Sequence, residues 1–321
     1  MSRVTLQVIE LKENQGTGNA LRVAMEHCTY PLAAHMDSDD VSARDRFARQ
    51  LAFFADHPQV DVLGGCITEF VGEERNITGR RTVPLEDSEI KAYMKKRCPM
   101  NHASVMYKKT AVLNAGSYRD WPGNEDYDLW LRMAQDQCVF ANLEEDLVNV
   151  RTGSDMAARR GGWKYFQSER GIQQCMRRAG LISCPEYLYN LALRFGGEVL
   201  APNWLRRKLF RFLRKPYRPE AENEQQVSGK MTGETISDGE TSDERIAGEA
   251  FSVTMAVYGG DRPQWFDRAL ASIITEQTVK PAEVVLVVDG PISRELRDVI
   301  HKYEDICAAQ TETKEAGDGV L

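Results

Sequence analysis

The chain has 321 residues, 42% of them apolar and 28% charged, with a formal net charge of −7. That length buries a substantial core as one large domain or two modest ones, so folds that depend on disulfides or a structural metal are excluded. The mild acidic excess argues against a dedicated nucleic-acid binder, which carries a basic balance, and predicts no nucleic-acid partner. Cys28, Cys66, Cys98, Cys138, Cys175, Cys184 and Cys307 are scattered and include no C-x-x-C pair, the pattern of reduced thiols that fill cores. No run reaches the roughly 18 apolar residues of a spanning helix. The first residues alternate like a strand instead of forming a signal peptide's apolar block. A cytoplasmic protein is expected, at most peripheral on the inner face of the cell membrane.

Val4 to Leu11 is short, β-branched and alternating, and Asn14, Gly16 and Gly18 end it in a turn. A helix follows from about Asn19 to His27. Tyr30 to Met36 reads as a strand that runs into Asp37-Ser38-Asp39-Asp40. Asp45 to Ala55 is helical, Val60 to Val71 is strand material, His102 to Met106 is a short strand and Thr110 to Ala115 a short helix. Asp126 to Gln135, Gly162 to Arg178 and Glu186 to Phe195 carry helical spacing. Residues 204–218 alternate Trp204, Leu205, Leu209, Phe210, Phe212 and Leu213 with seven cations and no acid, a basic amphipathic helix. Residues 219–250 are rich in Glu, Gly, Ser and Thr and cannot form a core, so they read as a disordered linker. The linker holds nine acids and two bases, a net −7 that accounts for the whole excess. Phe251 to Val257 and Glu283 to Asp289 are apolar strands, each followed by a helix, at Trp265 to Glu276 and Ser293 to Tyr303; the tail from Ala308 is polar and loose. Such all-apolar strands want both faces covered. Each half of the chain looks like the missing portion of the other.

Three carboxylate groups carry the chemistry. Asp37 to Asp40 stand where a strand gives out, and an Asp-x-Asp turn there presents two side chains to one hard cation; a helix-capping acidic loop is the plainer reading. Asp289 closes a strand before Gly290, and the Tyr258-Gly259-Gly260 turn lets backbone approach a flat base; Asp-Gly alone is a turn. Glu125, Asp126 and Asp128 enter an apolar helix, where burial must oppose the dipole if one of them is to be a strong base; an ordinary helix cap is the alternative.

Phe251 to Tyr258, Ala269 to Ile274, Glu276-Gln277-Thr278 and Val287 to Pro291 resemble the amino-terminal third of family 2 glycosyltransferases with the GT-A fold. Glu10 to Gly16, Gly18 to Leu21, Met36 to Asp40, Asp45-Arg46-Phe47, Asn101-His102, Ser104 to Met106 and Glu125 to Arg132 resemble the remainder. With Arg159 to Trp163 they are most similar to the exopolysaccharide branch typified by amylovoran biosynthesis enzymes. The resemblance implies a Rossmann-like, three-layer α/β/α mixed sheet. In the family the Phe251 to Tyr303 unit comes first, so the chain reads as circularly permuted. Residues 1–160 would be the C-terminal portion of the catalytic domain and 161–218 a helical extension. Residues 219–250 would be the linker, 251–306 the nucleotide-binding portion and 307–321 the tail. Thirty-two linker residues span up to about 100 Å, so closure within one chain is allowed. Fusion of two gene remnants and a domain-swapped oligomer are the alternatives.

Carried over residue by residue, the resemblance implies an inverting, metal-dependent transferase. It would use a nucleotide-diphosphate sugar of the UDP type and a glycan or lipid-linked acceptor. Asp289 and the Val257-Tyr258 backbone would hold the base, Asp37 the ribose and a metal, and Asp39 the Mn²⁺ or Mg²⁺. Asp126 would be the catalytic base with Glu125 as fallback. Lys12, Asn14 and Asn19 are donor-site candidates, and His102 an acceptor-side candidate that reads equally as a structural histidine. The 204–218 helix is expected to contact an anionic membrane or to pack on the catalytic body. Two rival functions stand beside this one: a sugar nucleotidyltransferase, and an inactive fusion fragment acting as a binding module.

Overall fold

The structure, a computed structural model, describes residues 3–153, 161–202 and 250–315. The basic segment 204–218 and the linker up to residue 249 lie outside the described residues. The N-terminal part runs β1 (Thr5–Leu11), α1 (Thr17–His27), β2 (Leu32–His35), β3 (Val41–Ser42), α2 (Arg46–Asp56), β4 (Val62–Phe70), β5 (Ile77–Arg81) and α3 (Asp87–Met94). A 3₁₀ turn (His102–Ser104), β6 (Met106–Lys108), α4 (Lys109–Asn114), α5 (Glu125–Gln135) and β7 (Phe140–Arg151) follow. Two further helices, α6 (Trp163–Arg178) and α7 (Cys184–Arg194), end in a π-helical turn (Phe195–Leu200). The C-terminal unit is β8 (Phe251–Tyr258), α8 (Pro263–Ile274), β9 (Glu283–Asp289) and α9 (Arg294–Glu315).

Among the described residues nine strands form one mixed sheet in the order β1-β9-β8-β2-β6-β4-β7-β3, with β5 on β4. The two C-terminal strands thus lie between β1 and β2. β9 pairs in parallel with β1 from Thr5–Glu283 to Leu11–Asp289, and β8 pairs in parallel with both β9 and β2. The reason is visible in β9, whose seven residues are all buried. Val284, Leu286 and Val288 pack into a core with α2, α8 and α9, while Val285 and Val287 face a second core with α1, α3, α5 and α6. A strand apolar on both faces needs a helix layer on each side and a strand at each edge. The three-layer α/β/α sheet expected from the sequence is the observed architecture.

Polar contacts lock the seam between the two ends of the chain. Glu283 Oε1 accepts from Thr29 N at 2.5 Å and Ser252 Oγ at 2.6 Å. Ser42 N donates to Ser272 Oγ at 3.1 Å, and Gln277 Nε2 donates to Ala43 O at 2.7 Å.

Two expectations change. His102 to Ser104 is a 3₁₀ turn and not a strand, because Ser104 Oγ donates to Asn101 O at 2.7 Å and curls the chain before β6. α9 continues to Glu315, beyond the point at which a loose tail was expected to begin.

Candidate active site

The predicted site residues gather at one edge of the sheet, where the parallel strands β1, β9, β8 and β2 end. An open α/β sheet forms its ligand crevice there. β6 runs the other way, so the 3₁₀ turn that precedes it reaches the same edge.

β2 ends at His35 and delivers Asp37. His35 Nε2 lies 3.0 Å from Asp37 Oδ1, and the His35 ring stacks on His102 with centroids 3.9 Å apart. His102 Nε2 lies 2.8 Å from the Tyr118 hydroxyl, which lies 3.3 Å from that of Tyr107. Burial alone would raise the Asp37 carboxyl. The His35 hydrogen bond and the charges of His35, His102 and Arg46 outweigh it and hold Asp37 down at about 2. Burial and the neighbouring His35 push His102 down to about 4, so its ring is neutral at pH 7. Arg46, fully buried, donates from Nη2 to His35 O at 2.9 Å and Val105 O at 3.1 Å, pinning β2 to the 3₁₀ segment.

The other acids of the motif have separate places. Asp39 offers its backbone carbonyl to Arg151 Nε at 3.0 Å. Asp40 is turned inward and accepts from Arg151 N at 2.8 Å; burial, then the charges of Asp37 and Asp39, push its carboxyl well up. Ser38 Oγ donates to Asp261 Oδ2 at 2.9 Å, and Tyr258 N donates to the same oxygen at 3.1 Å. Asp261 therefore fastens the 37–40 turn to the end of β8. Val257 is buried there and Tyr258 is exposed.

Asp289 is buried and accepts from Gln15 N at 2.7 Å and Gly16 N at 3.0 Å, while Asn14 Nδ2 reaches its carbonyl at 3.4 Å. It thereby holds the Gln15–Gly16 turn that leads into α1, a helix with no side-chain cap of its own. Gly290 at φ +83° follows, and a Cβ there would lie 2.5 Å from Asn14 N. Lys12 and Asn14 are exposed on the loop after β1, and Asn19 Nδ2 donates to Gln15 O at 3.1 Å.

α5 brings Glu125 and Asp126. Gly18 of α1 has no room for a Cβ against the Arg119 carbonyl and lies next to Glu125 Cβ, so the two helix starts are in contact. Burial, then the charge of Asp126, push Glu125 up to about 7; the Asp37 charge also acts on it, which joins this pair to the 37–40 turn. Asp126 Oδ1 accepts from Tyr127 N at 2.7 Å, and Cys98 Sγ donates to Asp126 Oδ2 at 3.4 Å.

A divalent cation fits the donor set. Donor atoms of His35, Asp37 and His102 lie within 4.8 Å of one another, and His35 Nδ1 is buried without a hydrogen-bond partner. Imidazole beside carboxylate suits Mn²⁺ better than Mg²⁺, which prefers an all-oxygen shell. Asp39, the predicted ligand, is not one of these three.

His35, Asp261 and Cys98 are site residues that the sequence reading missed. A histidine two residues before Asp37 in a strand lies on the same side as that acid, which is a usable signal. Asp261 follows a Gly-Gly turn and could have been flagged. For Cys98 no local signal exists, since its partner is 28 residues away.

The sequence profile described as Glycosyl transferase family 2 matches residues 4–121. A Haemophilus influenzae protein named "Uncharacterized glycosyltransferase" is 37% identical over 214 residues, 67% of this chain and 79% of that protein. The amylovoran biosynthesis glycosyltransferase AmsE of Erwinia amylovora is 37% identical over 164 residues, 51% of this chain and 61% of that protein. The UDP-Gal:alpha-D-GlcNAc-diphosphoundecaprenol beta-1,3-galactosyltransferase of Escherichia coli is 34% identical over 184 residues, 57% of this chain and 66% of that protein. The chain thus spans just under two thirds of the length of the last two.

Proposed function

The chain belongs to glycosyl transferase family 2 and is a glycosyltransferase of GT-A, Rossmann-like fold; from that premise we propose that it moves a sugar from a UDP-type nucleotide sugar to a glycan or lipid-linked acceptor in cell-surface polysaccharide synthesis. The substrate class is supported by the named activities of the amylovoran and diphosphoundecaprenol relatives. One observation carries the reading most directly: three carboxylate groups, Asp37 to Asp40, Glu125-Asp126 and Asp289, converge on one sheet edge from opposite ends of the chain.

In this reading Asp289 and the Val257-Tyr258 backbone hold the nucleotide base, next to the Gln15–Gly16 turn that Asp289 also contacts. Asp37 takes the ribose, and Lys12, Asn14 and Asn19 border the donor. Asp39 and Asp37 would hold Mn²⁺ or Mg²⁺; the His35, Asp37 and His102 group is the alternative donor set. The cation, when bound, neutralises the departing diphosphate as a Lewis acid. Asp126 removes the acceptor hydroxyl's proton for a single displacement that inverts the anomeric carbon. Neutral His102 faces the acceptor side. A specific observation favours Glu125 as the base instead: at about 7, its carboxyl matches the operating pH of a general base.

The segment order is read as a circular permutation within one chain, supported by the place of β8 and β9 between β1 and β2. A domain-swapped pair would give each sheet the same strand order. Contact of residues 204–218 with an anionic inner membrane remains part of the proposal. Among the described residues no helix is long and apolar enough to cross a membrane.

The test is a screen of nucleotide sugars for hydrolysis and transfer, repeated on Asp126→Asn. Donor binding should persist while turnover falls by about 10²-fold or more. Normal turnover in that variant assigns the base to Glu125, and failure to bind any UDP-sugar removes the donor class.

A further inference from the structure

α7 turns its apolar side outward. Pro185, Leu188, Tyr189, Ala192 and Leu193 recur at i, i+3, i+4, i+7 and i+8, the spacing of a single helix face, and all five are exposed. Leu188 is 60% exposed, Tyr189 65% and Leu193 57%. The opposite side is the anchored one: Asn190 Nδ2 donates to Gln173 Oε1 at 2.9 Å and Lys95 O at 3.1 Å, and Arg194 Nη2 donates to Lys96 O at 2.8 Å. The helix start is fixed by a capping box between Ser183 and Glu186, so the exposed stripe belongs to a well-formed helix. A fixed helix with a continuous apolar face outward marks an interaction surface.

The surrounding charge identifies what covers it. Lys95, Lys96, Arg97, Arg177 and Arg178 are exposed around the helix, and Glu186, already used in the cap, is the only acid within it. Ten residues after Arg194 the sequence enters 204–218, with seven further cations and no acid. A second copy docked about a two-fold axis would set this basic rim against itself. An anionic bilayer satisfies both features at once, taking the apolar stripe into its interface and the cations onto its headgroups.

We infer that the outward face of α7, with its basic rim, is a docking surface for an anionic phospholipid membrane. The loop that receives α7, Lys95 to Arg97, leads directly to Cys98, whose thiol meets Asp126. The helix that carries the stripe is thereby tied through this loop to the acceptor side of the site. That last link rests on the proposed role of Asp126; the docking does not.

The experiment is cosedimentation of the full chain, without donor, with vesicles of phosphatidylcholine alone or mixed with phosphatidylglycerol. The parent protein should pellet with the mixed vesicles and stay in solution with the neutral ones. Leu188→Asp combined with Leu193→Asp should weaken vesicle binding by at least about tenfold, because each change puts a charge where an apolar side chain enters the interface. Leu188→Ser with Leu193→Ser should give an intermediate loss, and both doubles should melt like the parent and hydrolyse donor at the parent rate. Parent protein that ignores the mixed vesicles overturns the inference. So does undiminished binding by the aspartate double, which would assign the contact to residues 204–218 alone. A parent dimer that the aspartate double converts to monomer would assign the face to a second copy. Loss of donor hydrolysis in the parent itself would count against the transferase reading and leave vesicle binding as a separate result.

Discussion

At the scale of single residues, the site is defined by carboxylates whose neighbours drive them apart. Glu125 sits up at about 7 and Asp37 down at about 2 in the same crevice. The acid that holds its proton to higher pH is raised first by burial and then by the acid beside it, whereas the acid that gives it up early is held down, against burial, by imidazole and guanidinium. For Glu125 the sign is definite. Between its ordinary value and about 7 the unfolded chain has released a proton that the folded chain keeps, so stability falls as pH rises through that window. Glu125→Gln should melt with the parent at pH 4 and above it at pH 8, by on the order of a few degrees, in thermal scans at the two pH values. If Glu125 takes the acceptor's proton, the parent rate should also climb with pH through about 7, and the variant's residual rate should be flat. The metal assignment is tested at the same scale. Asp39→Asn should weaken Mn²⁺ binding by more than about tenfold in calorimetric titration, with Asp37→Asn doing the same. Retained affinity in Asp39→Asn with loss in His35→Gln would move the ion to the His35, Asp37 and His102 group.

Elements that the sequence made plain are those with one strong physical signature. β9 is apolar on both faces and β8 on one, both are bounded by turns, and α1, α2 and α5 carry clean helical spacing; all five are found close to their expected bounds. β7 was not legible, because its centre, Glu144 to Asp146, is acidic and its pairing with β4 shifts register near Gly65 and Cys66. β5 was missed for a similar reason: Arg80 and Arg81 make it polar, and what holds Arg80 is Asp146 of β7 at 2.7 Å, a partner no local window contains. The role of Asp289 was hidden in the same way. From sequence it is a candidate contact to a nucleotide; the fold adds that its carboxylate also holds the Gln15–Gly16 turn ahead of α1, from the other end of the chain. Asp289→Ala leaves the N–H groups of Gln15 and Gly16 without their acceptor and should cost about 2–3 kcal/mol in urea unfolding. Asp289→Asn, keeping one acceptor oxygen, should recover part of that loss. If both variants unfold at the parent's midpoint, the Asp289 contacts to the Gln15–Gly16 turn contribute nothing to stability.

For the whole molecule, the seam between the two ends is the defining feature, made by two full strand pairings, buried apolar cores on both sides and the Glu283 and Gln277 contacts. Cleavage by protease within 219–250 should therefore leave the pieces together on a sizing column, and they should separate only in denaturant. Pieces that part under native conditions would contradict a shared sheet. The central place of β9 also sets a schedule for biosynthesis. β1 leaves the ribosome more than 270 residues before β9, yet among the described residues its one neighbour in the sheet is β9, which ends at Asp289. At roughly 5–20 residues per second, its hydrogen-bonding edge waits on the order of tens of seconds for a partner. β2 likewise waits for β8 on one side. During translation the nascent chain thus carries open strand edges that could pair with another nascent chain as readily as with its own later segment. Yield in the cell should depend on how well those edges are kept apart until β8 and β9 arrive.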